Sequence, residues 1–126
     1  MCKNMAISTR FLPPIPKGSK ILCGGVDVAG IQHCRDDAIA FIKGKDQRLE
    51  IDREPKNKFD PNAIAVFGIT KGFFGSKRRK IGYIPAEIAK SIAAESAFSS
   101  ISPRLRQVRL GDDGFCAVEI DLIGPK

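Results

Sequence analysis

Between Arg48 and Arg53 apolar and polar residues alternate, Leu49 and Ile51 on one face and Glu50 and Asp52 on the other, which predicts a half-buried strand. Residues 63–69 (Ala-Ile-Ala-Val-Phe-Gly-Ile) are apolar on both faces and read as a central strand. In residues 115–123, Cys116, Val118, Ile120 and Leu122 share a core face, leaving Ala117, Glu119 and Asp121 on the other. Residues 105–110 precede it as a partner strand, and Gly111-Asp112-Asp113-Gly114 between them is a hairpin signal. Residues 21–31 form a further strand in which the glycines mark a bulge or a close backbone approach. Residues 80–84 return as a strand after a Gly-rich basic loop over 71–80.

Two stretches have helical spacing. Asp36 is placed to cap a short helix ending near Gly44. Pro85 opens a second helix running to about Glu95, with Ile88 and Ile92 four residues apart and Ala89 and Ala93 beside them. About six short strands and two short helices predict a mainly β fold, a small barrel with accessory helices. The proline-containing, basic residues 1–19 read as an N-terminal arm without a core of its own, and 20–126 as the domain.

The formal charge of +7 is unevenly spread. Residues 1–26 carry +4, residues 27–60 carry −1, residues 61–111 carry +7 and the remainder −3. A basic face of this kind attracts polyanions by counterion release, with nucleic acid first and an anionic membrane second; solubility charge is the alternative, and composition does not separate them. No stretch approaches the roughly 18 apolar residues of a membrane span, and Pro13, Pro14 and Pro16 interrupt the only candidate leader. The expectation is a soluble, cytoplasmic protein, nucleoid-associated if bacterial, with no membrane partner.

Cys2, Cys23, Cys34 and Cys116 form no C-x-x-C pair, and the single His33 lacks partners at a zinc-finger spacing. No metal site and no cofactor are expected, and Cys23 and Cys116 read as buried small hydrophobes. Phosphate-binding, nucleophile-elbow and zinc-protease motifs are lacking, which argues against an enzyme. A metal-dependent nuclease built on Asp27, Asp36 or Asp60 is the weakest alternative.

The most distinctive stretch is Arg53-Glu54-Pro55-Lys56-Asn57-Lys58-Phe59-Asp60-Pro61-Asn62-Ala63-Ile64-Ala65-Val66. Upstream lies Asp27-Val28-Ala29-Gly30-Ile31, and downstream Lys80-Ile81-Gly82-Tyr83-Ile84-Pro85. In this order and spacing the three blocks resemble the HIRAN domain family over about residues 20–123. The resemblance implies an OB-like β-barrel that is not catalytic by itself. It also implies DNA repair or replication-fork processing, with capture of single-stranded DNA by its free 3′-hydroxyl end. Such domains occur free-standing in bacteria and phages and within fork-remodelling translocases, so a helicase, nuclease or other repair enzyme is an implied partner.

Carried over by position, the resemblance places a stacking aromatic at Phe59, the hydroxyl-binding carboxylate at Asp60 and a loop-shaping amide at Asn57. Gln32 and His33 fall where members carry a basic residue and then an aromatic; His33 retains a stacking ring, whereas Gln32 supplies no charge. Phe115 falls near another base-contacting aromatic, and Lys71, Lys77, Arg78, Arg79 and Lys80 are candidate phosphate contacts. Asp60-Pro61-Asn62 is equally a good turn sequence, and Phe73-Phe74 is either a stacking tip or part of a solvated hairpin. Tyr83 is open between core and rim. Arg104, Arg106 and Arg109 cannot all line one groove, because Arg109 falls on the strand face opposite Arg106. The competing function is a protein-interaction module with only non-specific electrostatic DNA binding.

Overall fold

β4 (Ile64–Gly72) is hydrogen-bonded on both sides and buried through most of its length, as its apolar run predicts. Its neighbours are β3 (Arg48–Arg53) and β5 (Gly75–Tyr83), giving an antiparallel sheet in the order β3-β4-β5. A second, four-stranded sheet has the order β1-β6-β7-β2, formed by Met5–Arg10, Ser102–Gly111, Cys116–Pro125 and Ser19–Asp27. Among the described residues two α-helices accompany the sheets: α1 (Arg35–Lys43), packed against β5 and β4, and α2 (Ala86–Ala93). These elements come from a computed structural model that describes residues 5–11, 13–93 and 98–126. The fold is mainly β with OB-like character, and the two sheets enclose one core without closing into a continuous ladder.

Phe41 of α1 and Ile64, Val66, Ile81, Val108, Val118 and Ile120 of the strands are at most 1% exposed and form the centre of that core. Gly68 lies directly under the Phe41 ring, where any Cβ would collide with it, so the helix approaches the sheet as closely as a ring allows. Asp36 and Asp37 fall in the first turn of α1 while Cys34 takes the capping position, so Asp36 meets the helix dipole rather than closing a cap. Gly44 ends the helix as expected, its N–H donating to Phe41 O. The expected end of the second helix, near Glu95, lies outside the described residues.

Three further features depart from the sequence reading in the bounds of the strands. Residues 5–10, expected as part of an arm, form β1 and pair with β6, which raises the count to seven strands among the described residues. The strand expected to reach Ile31 ends at Asp27, after register shifts that span Gly24 and Gly25. Most of the basic stretch 71–80 is ladder rather than loop, with only Phe73 and Phe74 between the paired Gly72 and Gly75.

β6 also carries a bulge between Leu105 and Gln107. Leu105, Val108 and Leu110 all remain buried, so the extra residue reverses the parity of the strand. Arg104, Arg106 and Arg109 therefore share the outer face, contrary to the regular alternation. On that face Asp121, which the alternation puts opposite the core face of its strand, is 0% exposed. Its Oδ1 accepts from Gly25 N–H at 2.9 Å and from Arg106 at 3.3 Å, and its Oδ2 from Arg104 Nη1 at 2.6 Å. Arg104 in turn donates to Pro13 O at 2.7 Å, fastening the proline segment to the sheet.

Burial alone would raise the Asp121 carboxyl, but the Gly25 N–H and the two guanidiniums outweigh it and hold the group below the ordinary carboxylate range. Because the folded value is the lower one, this stabilisation is present above about pH 3.9 and is lost as pH falls through the folded value. Asp121→Ala is expected to lower the unfolding free energy by about 3–5 kcal/mol, measured by urea denaturation at neutral pH. The variant should also lose that part of the parent's acid sensitivity.

Candidate nucleic-acid interface

The two parts of the sequence that resemble an end-binding pocket meet at Tyr83. Its N–H donates to Ala29 O at 2.8 Å and its carbonyl accepts from Ala29 N–H at 2.7 Å, an isolated bridge from the extension of β2 to β5. Gly82 permits this approach, since a Cβ there would run into Ala29 O and Val28 Cγ1. Directly after Ala29, Gly30 turns the chain in the left-handed region (φ 72°) into a 3₁₀ turn at Ile31–Cys34. Gln32 and His33 stand exposed on that turn, while Ile31 anchors it in the core.

On its other side Tyr83 reaches the loop between β3 and β4. The Tyr83 hydroxyl donates to Glu54 Oε1 at 2.9 Å, and Asn57 Nδ2 donates to the same oxygen at 3.0 Å. Lys80 Nζ meets Glu54 Oε2 at 2.5 Å and the tyrosine oxygen at 3.2 Å. Lys80 and then Asn57 hold the Glu54 carboxyl below its usual range, and Glu54 raises the Lys80 ammonium in return. Tyr83 is thus neither plain core nor plain rim; it joins the loop to the 3₁₀ turn.

Asn57 organises the residues that follow. Its Oδ1 accepts from the N–H groups of Phe59 at 2.9 Å and Asp60 at 3.0 Å. Asp60 Oδ1 accepts from Asn62 N–H at 2.8 Å, and Asp60 O from Ala63 N–H at 3.0 Å. The turn reading of Asp60 is therefore correct for one oxygen, while Oδ2 makes no hydrogen bond among the described residues. Phe59 projects from this fixed loop with its ring 96% exposed, preceded in the chain by exposed Lys56 and Lys58. The sequence reading did not count those two lysines as phosphate contacts, although their places on either side of Asn57 were a sufficient signal.

Phe115, 48% exposed, follows the turn of the β6–β7 hairpin, where Asp113 Oδ1 accepts its N–H at 3.1 Å. The Arg35 guanidinium lies against Gly114 in the space a side chain would fill, tying this hairpin to the turn bearing His33. Cys34 ends the same turn; burial, then Asp37, raises its thiol, so it remains protonated and is a poor nucleophile. Among the described residues no three His, Cys, Asp or Glu side chains are grouped to hold a metal ion.

The basic residues of the 71–80 stretch divide into two sets. Arg78 pairs with Glu50 at 2.8 Å and with Asp52, and lies over the Phe67 ring at 3.6 Å. Arg79 pairs with Asp37 at 3.2 Å, and Lys80 belongs to the Glu54 network. These cations have carboxylate partners within the fold, whereas Lys71 and Lys77, at the far end of the hairpin, have no ion pair among the described residues.

The family model for the HIRAN domain matches residues 21–122. The chain belongs to the HIRAN family. No curated protein and no solved structure matches it. HIRAN domains are DNA-binding modules, and the matched residues span the loop, the 3₁₀ turn and the hairpin of this interface. Among the described residues of this HIRAN domain no helix is long and apolar enough to cross a membrane.

Replacing Asn57 by Ala removes the acceptor for two N–H groups and the donor to Glu54. At about 1 kcal/mol per bond, the amides of Phe59 and Asp60 are expected to exchange with solvent about fivefold faster or more, read by hydrogen exchange, while the β4 amides stay protected.

Proposed function

We propose that this HIRAN domain captures the free 3′-hydroxyl end of a DNA single strand. The observation that carries the reading is the second carboxylate oxygen of Asp60, without a hydrogen bond among the described residues, beside the bare ring of Phe59 on a loop already fixed by Asn57. A carboxylate repels phosphate but accepts a hydrogen bond from a terminal hydroxyl, and such charge-assisted bonds are worth about 1.5–3 kcal/mol. The same oxygen disfavours a 3′-phosphate, so the end is selected by repulsion as well as attraction.

In this reading Phe59 and His33 stack on the terminal bases, with Phe115 at the margin and Gln32 offering an uncharged hydrogen-bonding edge. Lys56, Lys58 and Arg35 stand where they can meet the phosphates behind the end, supplying charge that Gln32 does not. The domain performs no chemistry of its own; it presents a strand end in repair or fork processing, with a helicase, nuclease or other repair enzyme as the partner that acts on it.

The test is fluorescence anisotropy with single strands ending in a 3′-hydroxyl or a 3′-phosphate, and a duplex control, at two salt concentrations. The hydroxyl strand is expected to bind most tightly, with the preference surviving the higher salt. Asp60→Asn, which retains an acceptor for Asn62, should weaken hydroxyl-end binding about ten- to a hundredfold and lose discrimination against the phosphate. Equal binding to all three ligands that salt erases would reject end capture and favour a protein-interaction module.

A further inference from the structure

The β4–β5 hairpin ends in the two most conspicuous apolar side chains outside the interface. Phe73 and Phe74 are 95% and 96% exposed, and they are the two residues between the paired Gly72 and Gly75. Gly75 takes a positive φ of 125°, a conformation that suits glycine, so the tip is a tight turn rather than a slack loop. The rings meet edge to face with centroids 4.9 Å apart and planes 74° apart. They bury almost nothing against their own fold, and water-exposed aromatic area of this kind gains free energy only when something covers it.

Around the rings the chemistry is cationic. Lys71 and Lys77 have no ion pair among the described residues, and Arg48 donates to Ser76 Oγ at 3.4 Å rather than to a carboxylate. A groove of about 400 Å³ opens beside Phe73, lined also by Asp46, Arg48, Lys71 and Ser76. Apolar ring faces beside a groove to which Arg48 and Lys71 bring positive charge match a nucleobase with its flanking phosphates. With its rings nearly perpendicular, the tip takes one base plane at a time rather than a run of stacked bases.

β4 runs from just beyond the Asp60 turn to this tip, a span of about 26 Å at roughly 3.3 Å per residue. We infer that the Phe73–Phe74 tip is a second single-strand contact, stacking one unpaired base well behind the end held at Asp60. The inference rests on the single-strand reading above. At about 3.4 Å per stacked nucleotide, roughly seven nucleotides separate the two contacts, fewer if the strand is extended. Short strands therefore engage only the end site, and longer ones engage both.

The test compares the full chain with the double variant Phe73→Ser, Phe74→Ser, using 3′-hydroxyl strands of about 4 and about 16 nucleotides. Because the rings lie outside the core, the variant should unfold at the parent's denaturant midpoint. It should bind the long strand about tenfold more weakly than the parent does and the short strand equally well. Long-strand binding within twofold of the parent overturns the second contact while leaving end capture standing; no single-strand binding by the parent overturns both. Anionic phosphatidylserine vesicles and sedimentation of the chain alone complete the set. If the variant loses vesicle binding or self-association while keeping the parent's long-strand affinity, the tip serves a membrane or a second copy, and the inference fails.

Discussion

The backbone bridge between Ala29 and Tyr83 is the constraint on which the interface depends. It brings the end of one sheet within hydrogen-bonding distance of the other and exists only because Gly82 has no side chain to fill the gap. From its Ala29 side the chain turns directly into the segment bearing Gln32 and His33. From its Tyr83 side the hydroxyl passes the constraint through Glu54 to Asn57, and Asn57 fixes the amides of Phe59 and Asp60. Side chains separated by more than twenty positions in the chain are thereby referred to one rigid point. Such preorganisation lowers the ordering cost that a binding surface adds when it meets a flexible ligand.

The positive charge of the chain is sorted by the fold. Arg78, Arg79 and Lys80 are held against Glu50, Asp52, Asp37 and Glu54, and Arg104 and Arg106 against Asp121 and Glu119. These pairs neutralise charge within the sheets and orient residues around them. Lys56 and Lys58, which precede the exposed Phe59, and Lys71 and Lys77, close in sequence to the exposed Phe73 and Phe74, are among the cations that have no ion pair among the described residues. Free positive charge thus lies next to bare aromatic rings at both ends of β4, the pairing that single-stranded nucleic acid requires.

How far the sequence reached can be judged element by element. Local patterns sufficed where one face or both faces of a strand met the core: β3 was legible from its alternation, β4 from its apolar run, and the inner face of β7 from Cys116, Val118, Ile120 and Leu122. The Asn57–Asp60 turn was legible too, because Asn and Asp bond to amides two or three residues along the chain, an interaction complete within the loop. The three motif blocks and their order marked the family without any contact being known.

What only the tertiary structure decided was long-range in origin. The bulge after Leu105 is a property of pairing with β7, and it alone places Arg109 on the face of Arg104 and Arg106. Asp121 lies opposite the core face in the alternation, yet Gly25 and two arginines from other strands enclose it. β1 has little core of its own and becomes a strand because β6 offers it an open edge. The sequence by itself determined the core faces of β3, β4 and β7 and the Asn57–Asp60 turn, since hydrophobic period and turn chemistry are local. The convergence of that turn and the 3₁₀ turn at Tyr83, and the division of the cations into paired and free, depended on contacts between distant segments that no local pattern encodes.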